Sequence, residues 1–427
     1  MNNTTFSLHS SFKFIAHHSS LITKIVLSVF DAFALTQQHL LTLPNETIPL
    51  TDALGRVLRQ PVRADRDFPP FHRVAMDGIA IRFADYAAGQ RTFPITGTQF
   101  AGQPQQTLTE AGTCLEVMTG AMLPVSTDTV VRYEDVQTTQ KQATITVDDL
   151  AEGQHVHHQA TDRRANDELM PVGTQLGPAE IAVAVSVGQV HVSVGVLPRV
   201  ALISTGDELV GIADTPLPYQ IRQSNTFMLQ AALRSLGIAA TVHHIRDDKA
   251  LLRDRLANLL ETNDILIVSG GVSAGKADFV PGILMELGVQ QLFHKIDQRP
   301  GKPLWFGTRV AAGEPQRTVF GLPGNPVSTV LCGYRYVLPY LRASLGLPPQ
   351  PAQFAQLAAP VTFRPPLTYF LPVRLASEPD GRTVAHPLPG SGSADFANLL
   401  DTNAFMELPA SRSEFGAGEA FQVWPTR

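Results

Sequence analysis

Cysteine is nearly absent from this chain. Its two residues, Cys114 and Cys332, stand far apart with no CxxC or His-pair spacing. That excludes a disulfide scaffold and a zinc ribbon, and it fits a reducing cytoplasm with two small buried thiols. Charge is sparse too: 17% of residues are charged and the net charge is -5, so the basic footprint of a nucleic-acid binder is missing. No apolar run approaches the roughly 20 residues of a membrane-spanning helix, so no membrane role is expected. Acids are missing from the opening stretch MNNTTFSLHSSFKFIAHHSSLITK, whose short apolar patches are broken by polar residues including Lys13 and Lys24. With no apolar core leading to a small-residue cleavage site, residues 1–26 read as an extension ahead of the fold rather than a targeting segment.

What is present is an ordinary globular composition, 44% hydrophobic, over a length that holds two to four domains at roughly 100 to 200 residues each. One stretch organises the rest. In DILIVSGGVSAGKADFV, Asp264 to Val280, the unbroken apolar run from Ile265 to Val268 suits a strand covered on both faces. Behind it, Gly270, Gly271 and Gly275 let backbone N–H groups approach a ligand, and Ser269 and Ser273 add hydroxyls. Such a loop ahead of a helix is a common phosphate cradle.

In chain order, Ser28 and Asp31 have capping-box spacing at the head of a helix. ETIPL reads as a strand and LTDALGRVL as helical. DFPPFHRVAMDGIAIR, residues 67–82, leads a Met-Asp-Gly tip into an alternating strand; taken alone, Asp77 is an ordinary Asp-Gly turn. Short strands punctuated by Gly and Pro from Arg91 to about Asp149 predict a small β domain. Within it, Thr119 and Gly120 sit in a loop that offers hydroxyl and backbone contacts to an anion. His155, His157 and His158 invite a metal, but no acid has the matching spacing, and they read as solvated or hydrogen-bonded. ELMPVGTQLGPAEIAVAVSVG reads as strand and turn.

After Val200 strands and amphipathic helices alternate, which predicts a doubly wound α/β domain of about 150 residues. VALISTGDEL ends in Ser204, Thr205, Gly206, Asp207 and Glu208; TVHHIRDD ends in Asp247 and Asp248; TVFGLPGNP enters the long helix VSTVLCGYRYVLPYLRASLG. Ligands of such sheets bind beyond the carboxyl ends of the strands, so these tips are expected to converge on one crevice. Asp207, Glu208, Asp247 and Asp278 are too many acids to face a polyanion unaided, which implies a hard cation such as Mg²⁺ between them and phosphate. Lys295, Arg299 and Lys302 supply positive charge, and Pro323, Gly324, Asn325 and Pro326 form a rigid turn ahead of a helix N-terminus. From about Gly346 β texture returns, with a short helix near DFANLLD, as a small barrel or sandwich.

The order PPFHRVAMDG, VMTGAMLP, STGDEL, IRDD, SGGVSAGKADF, RPGKP, GLPGNPVS and GSGSADFANLLDTNAFMELP resembles the molybdopterin molybdenumtransferases, related to the C-terminal part of gephyrin, over roughly residues 27 to 427. The resemblance implies a multidomain α/β plus β fold. Its parts are a discontinuous N-terminal domain (27–65 and 151–196), a small β domain (66–150), a molybdopterin-binding α/β domain (197–345) and a C-terminal β domain (346–427). It implies a magnesium-dependent cytoplasmic homodimer, whose crevice joins the α/β domain of one subunit to the β domain of the other. The implied reaction takes adenylylated molybdopterin and molybdate, releases AMP and leaves molybdenum on the dithiolene, for delivery to molybdenum enzymes. By position, Asp77, Thr119, Asp162, Glu208, Asp247, Asp278, Lys295, Lys302, Pro323 and Pro326 match the family's functional residues. Of these, Glu208, Asp247 and Asp278 are the expected metal ligands. Ser204, Thr205, Gly206, Ser269, Gly270, Gly271, Ser273, Gly275, Gly324 and Asn325 complete the expected substrate contacts.

The chain departs from the family pattern at Lys276, where an acid is usual, and at His72, Val74, Met122 and His157. Its segment ending at Asp162 reads ATD rather than GED. These departures motivate an alternative, a catalytically diverged carrier or chaperone of molybdopterin. A weaker third reading is adenylylation by the same α/β module.

Overall fold

The unbroken apolar run after Asp264 lies inside a six-stranded sheet. The computed structural model describes residues 26–272, 278–388, 392, 395 and 399–427. The sheet comprises β1 (Val200–Thr205), β2 (Ala240–Ile245), β3 (Ile265–Ser269), β4 (Gln290–His294), β5 (Trp305–Arg309) and β6 (Arg317–Leu322). Their spatial order is β2-β1-β3-β6-β5-β4, the first four parallel and β5 antiparallel to both of its neighbours, β6 and β4. Helices α1 (Asn225–Arg234), α2 (Lys249–Thr262) and α3 (Val280–Glu286) return between strands, and α4 (Pro326–Cys332) follows β6. Every residue of β1, β3 and β6 is buried, so their sequences show no alternation. Leu252, Leu256, Leu259 and Leu260 place one face of α2 in the core beside Ala201 and Ile203. Each such leucine contributes about 1.5–3 kcal/mol of transfer free energy.

The start of β3 is pinned by charge. Asp264 accepts hydrogen bonds from the Arg199 backbone N–H (2.8 Å), the Arg199 guanidinium (2.9 Å) and Arg317 (2.8 Å). Three strands are thereby tied at one edge.

Strands Gln353–Leu357, Thr368–Ser377, Thr383–Pro387, Ala404–Leu408 and Ala420–Pro425 form a C-terminal barrel that closes where Thr368–Ser377 meets Ala404–Leu408. Gln298–Arg299, from the α/β domain, adds to this sheet in parallel with Thr368–Tyr369. Arg335, 5% exposed, stacks over Trp424 (4.1 Å) and Phe33 (4.6 Å) and faces Glu407 at 3.5 Å. Barrel, α/β domain and the helix Val29–Gln38 are joined there.

These elements form one compact unit, and residues 46–194 form a second. The second unit holds a six-stranded sheet in the order Thr129–Arg132, Gly78–Ile81, Cys114–Val117, Thr92–Gln99, Gln142–Ile145, Val136–Thr138. Two-stranded pairs and a helix, Pro178–Ser186, accompany it.

Three local expectations need correction. LTDALGRVL is not a helix: a 3₁₀ turn at Leu50–Asp52 gives way to Gly55 at φ +77, and Val57 and Leu58 bridge to Gln175 and Val194. The stretch read as strand and turn contains the helix Pro178–Ser186. Pro178 sits at its first turn, and the Glu180 carboxylate accepts the Gly177 N–H at 3.0 Å. The long helix after Asn325 is interrupted by a π-turn, Gly333–Val337, because Pro339 lacks the N–H that would continue the α ladder. Residues 1–25, Ser273, Gly275, Lys276 and residues 396–398 of the expected DFANLLD helix lie outside the described residues.

Candidate active site

The strand ends converge. β1 delivers Thr205, Gly206 and Glu208; β2 delivers Asp247; β3 delivers Gly270 and Gly271; β6 delivers Pro323, Gly324 and Asn325. With Asp278 these residues line one cavity of about 350 Å³. Gly270 and Gly271 have φ of +96 and +65, and a Cβ on Gly271 would stand 2.7 Å from Thr205 Oγ1. Both conformation and space therefore demand glycine.

The cavity is acidic and incompletely satisfied. Asp247 is pushed above its ordinary carboxylate value by partial burial, and then by the charges of Asp207, Glu208 and Asp278. Asp207 is offset by Arg246 at 3.3 Å. Thr205 Oγ1 is buried in the same wall without a hydrogen-bond partner among the described residues, an arrangement that costs about 1–3 kcal/mol unless a ligand supplies one. Among the described residues no three His, Cys, Asp or Glu side chains close into a metal cage. A magnesium ion needs no such cage, because it takes one or two carboxylates and completes its shell with water and phosphate oxygens. The donor set of Glu208, Asp247 and Asp278 fits an ion shared with a ligand.

Two predicted hydroxyls do not reach the cavity. Ser204 donates to Gln223 at 3.0 Å, and Ser269 donates to the Pro323 carbonyl at 3.4 Å. The sequence reading also missed a clamp. Asn225 Nδ2 donates to Ser269 Oγ (2.9 Å) and to the Gly324 carbonyl (2.7 Å), binding the end of β3 to the PGNP turn. Thr329 Oγ1 donates to the Pro323 carbonyl at 2.7 Å and fixes the same turn from α4. Their only sequence signal is a polar residue in the first turn of a helix.

A larger cavity, about 640 Å³, shares Pro303, Pro323 and Asn325 with the first. It opens between the RPGKP loop and the barrel, and Arg299, Lys302 and Arg364 line it. Lys302 lies 4.0 Å from Asp297. Lys295 lines neither cavity and adopts φ +82, with its N–H donating to the Leu304 carbonyl at 2.9 Å. Its charge is felt at His294, which burial holds below the ordinary imidazole value while Nε2–H donates to the Val272 carbonyl at 2.8 Å. The same imidazole feels Asp278. Pro326 begins α4 directly behind Asn325.

In the second unit, Asp77 and Thr119 meet. Asp77 Oδ1 accepts the Thr119 N–H (2.6 Å) and its hydroxyl (2.7 Å), and these bonds hold the Asp77 carboxyl below its ordinary value. Asp162 accepts from His157 Nε2 at 3.0 Å, and His157 Nδ1 lies 2.9 Å from Arg73.

Three family models match in chain order: the MoeA N-terminal region (domain I and II) over residues 27–188, a probable molybdopterin binding domain over 201–343, and the MoeA C-terminal region (domain IV) over 355–426. A molybdopterin molybdenumtransferase from a Synechocystis species is 38% identical over 401 residues, covering 93% of this chain and 100% of the relative. One from a Nostoc species is 33% identical, covering 88% and 87%. The crystal structure of a molybdopterin biosynthesis MoeA protein from Pyrococcus horikosii, 29% identical, matches with a TM-score of 0.79 over 94% of this chain and 100% of that one. Among the described residues no helix is long and apolar enough to cross a membrane. Sequence, fold and strand-end geometry agree that the chain belongs to the molybdopterin molybdenumtransferase family.

Proposed function

We propose that this chain transfers molybdenum from molybdate to adenylylated molybdopterin and releases AMP, as a magnesium-dependent cytoplasmic homodimer. The observation that carries the reading is the pairing of two adjoining cavities of opposite character. One presents a glycine turn, the Thr205 hydroxyl and carboxylates; the other presents Arg299, Lys302 and Arg364. A phosphoanhydride linked to an anionic dithiolene and an oxyanion calls for both.

In this reading the Gly271 backbone and the Thr205 hydroxyl receive the phosphate bridge, while Gly270, whose N–H donates to the Leu322 carbonyl at 3.2 Å, shapes the turn. Glu208, Asp247 and Asp278 would hold Mg²⁺, whose chemistry is to neutralise charge on the phosphate oxygens. Lys302 and Arg299 orient molybdate and the dithiolene, lowering the repulsion between two anions that must approach each other. Water attacks the pterin-side phosphorus, AMP leaves with the bridging oxygen and its electron pair, and the two dithiolene sulfurs replace one molybdate oxo group, which departs with their protons as water. The Asp77–Thr119 pair and Asp162 belong to the surface that a second copy contributes. The cofactor then passes to molybdenum enzymes.

The test is direct. Purified protein with Mg²⁺, molybdate and adenylylated molybdopterin is expected to release AMP and yield cofactor that activates an apo molybdenum enzyme. Binding without AMP release would overturn the reading in favour of a carrier. Omitting Mg²⁺ should abolish turnover, and sedimentation should give a dimer.

A further inference from the structure

A second cluster of titratable side chains lies on the short antiparallel pair Arg73–Val74 and Val156–His157, in which Arg73 is directly opposite His157. Arg73 Nη2 is 2.9 Å from His157 Nδ1, and His157 Nε2 is 3.0 Å from Asp162 Oδ1. A guanidinium has donors only, and an ionised carboxylate accepts only. Nδ1 must therefore carry its lone pair and Nε2 the proton. Of the three protonation forms of imidazole, one alone satisfies both contacts. Moving the proton to Nδ1 would set N–H against N–H at Arg73 and leave Asp162 facing a lone pair. The doubly protonated ring would keep the bond to Asp162 but lose the one to Arg73 and put a cation beside a guanidinium.

The neighbouring groups do not compete. His158 Nδ1 lies 3.3 Å from His72 Nδ1, which also receives the Gln159 N–H at 3.2 Å, so those two imidazoles are engaged with each other. Asp67 is occupied by Gln159 Nε2 (2.9 Å) and the Ala165 N–H (3.0 Å). Arg163 donates to the backbone carbonyl of Asp162 at 2.7 Å, which steadies the main chain and leaves the carboxylate to His157. The Asp162 side chain is 56% exposed, so without support it would sample several rotamers.

We propose that Arg73 and His157 are positioning residues that hold the Asp162 carboxylate, with His157 locked as the neutral Nε2–H tautomer. The proposal rests on the reading of Asp162 as a functional carboxylate. Holding one carboxylate oxygen fixes the direction in which the other meets a ligand, and such pre-organisation is what a small misplacement forfeits.

Two measurements on the full chain test it. Long-range proton–nitrogen spectra of histidine-labelled protein, with His157→Phe for assignment, are expected to show the Nε2–H pattern at His157 near neutral pH. Arg73→Ala should relax it towards the mixture of a free imidazole. In kinetics, His157→Phe is expected to lower kcat for AMP release about tenfold at nearly constant KM. His157→Gln, which keeps one donor and one acceptor, should recover most of the loss. An Nδ1–H pattern at His157 overturns the proposal, as does wild-type kcat in His157→Phe alongside an impaired Asp162→Asn. Full turnover by Asp162→Asn instead overturns the reading of Asp162, and the positioning role falls with it. The spectra, which need no turnover, distinguish that failure from a wrong tautomer.

Discussion

The six-stranded sheet carries acids in opposite states at the two ends of its strands, Asp264 at the start of β3 and Asp247 beyond the end of β2. At the start, Asp264 is met by a backbone N–H and two guanidinium groups, and although burial opposes it, these partners hold its carboxyl below the ordinary value of 3.8. At the carboxyl ends, beyond β2, Asp247 feels the charges of Asp207, Glu208 and Asp278, and its carboxyl stands above 3.8. The fold satisfies the first acid completely from its own residues. It crowds Asp247 with like charges instead, and that residual charge is what a ligand can use. A carboxylate that the chain neutralises is structural, whereas one the chain crowds is poised for a ligand.

The largest expected effect is at the satisfied end. Asp264→Ala strands Arg317, 8% exposed, as a buried cation without its partner and should cost about 3 kcal/mol of stability, read by urea unfolding. AMP release per folded molecule should stay near wild type, and a matching loss of turnover would erase the contrast. Asp278→Ala is expected to do the reverse, lowering kcat about a hundredfold, or about 2.7 kcal/mol in the barrier, with no loss of stability. Asn225→Ala comes next. It cuts the clamp between β3 and the PGNP turn, whose Gly324 lines the first cavity, without removing a lining side chain, and should raise KM about fivefold, close to one hydrogen bond's net contribution of about 1 kcal/mol. An unchanged KM would show that the turn is rigid without Asn225.

What the sequence made legible follows from what is local. Unbroken apolar runs, glycines at strand ends and a surplus of acids can be read in windows of a few residues, and they led to the doubly wound sheet and to a crevice at its carboxyl edge. Ser204 and Thr205 show the limit. Adjacent residues on a strand face opposite sides, so the same two hydroxyls could be ordered either way, and the fold turns Ser204 inward to Gln223 and Thr205 towards the cavity. The Asp77–Thr119 contact joins residues 42 positions apart, so spacing alone left each as a turn or loop residue. In Pro178–Ser186 the β-branched run IAVAVS argued for a strand, while the evidence for a helix lay in the Gly177–Glu180 cap. Lys295 and Lys302, seven residues apart in one motif, are separated by the left-handed backbone at Lys295, and Lys302 alone lines the larger cavity.

The smallest expected effect tests the contrast most closely. Asp247→Asn removes one member of the crowded group; after discounting for solvent screening at this half-buried carboxyl, it should stabilise the fold by about 0.5 kcal/mol at neutral pH. The two variants then part ways on acidification. At Asp247 the folded state holds its proton more tightly than the unfolded chain, so its penalty is full at neutral pH and is relieved as pH falls through the raised folded value towards 3.8. The gap between Asp247→Asn and wild type should therefore close above 3.8. At Asp264 the folded value is depressed, so its stabilisation is full above 3.8 and is lost only as pH falls below it. The gap between wild type and Asp264→Asn should hold down to that point and close beneath it. Urea midpoints from neutral to strongly acidic pH would place the two closures on opposite sides of 3.8. Closure on the same side would mean that the acids at the two ends of the sheet's strands do not differ in the way their partners require.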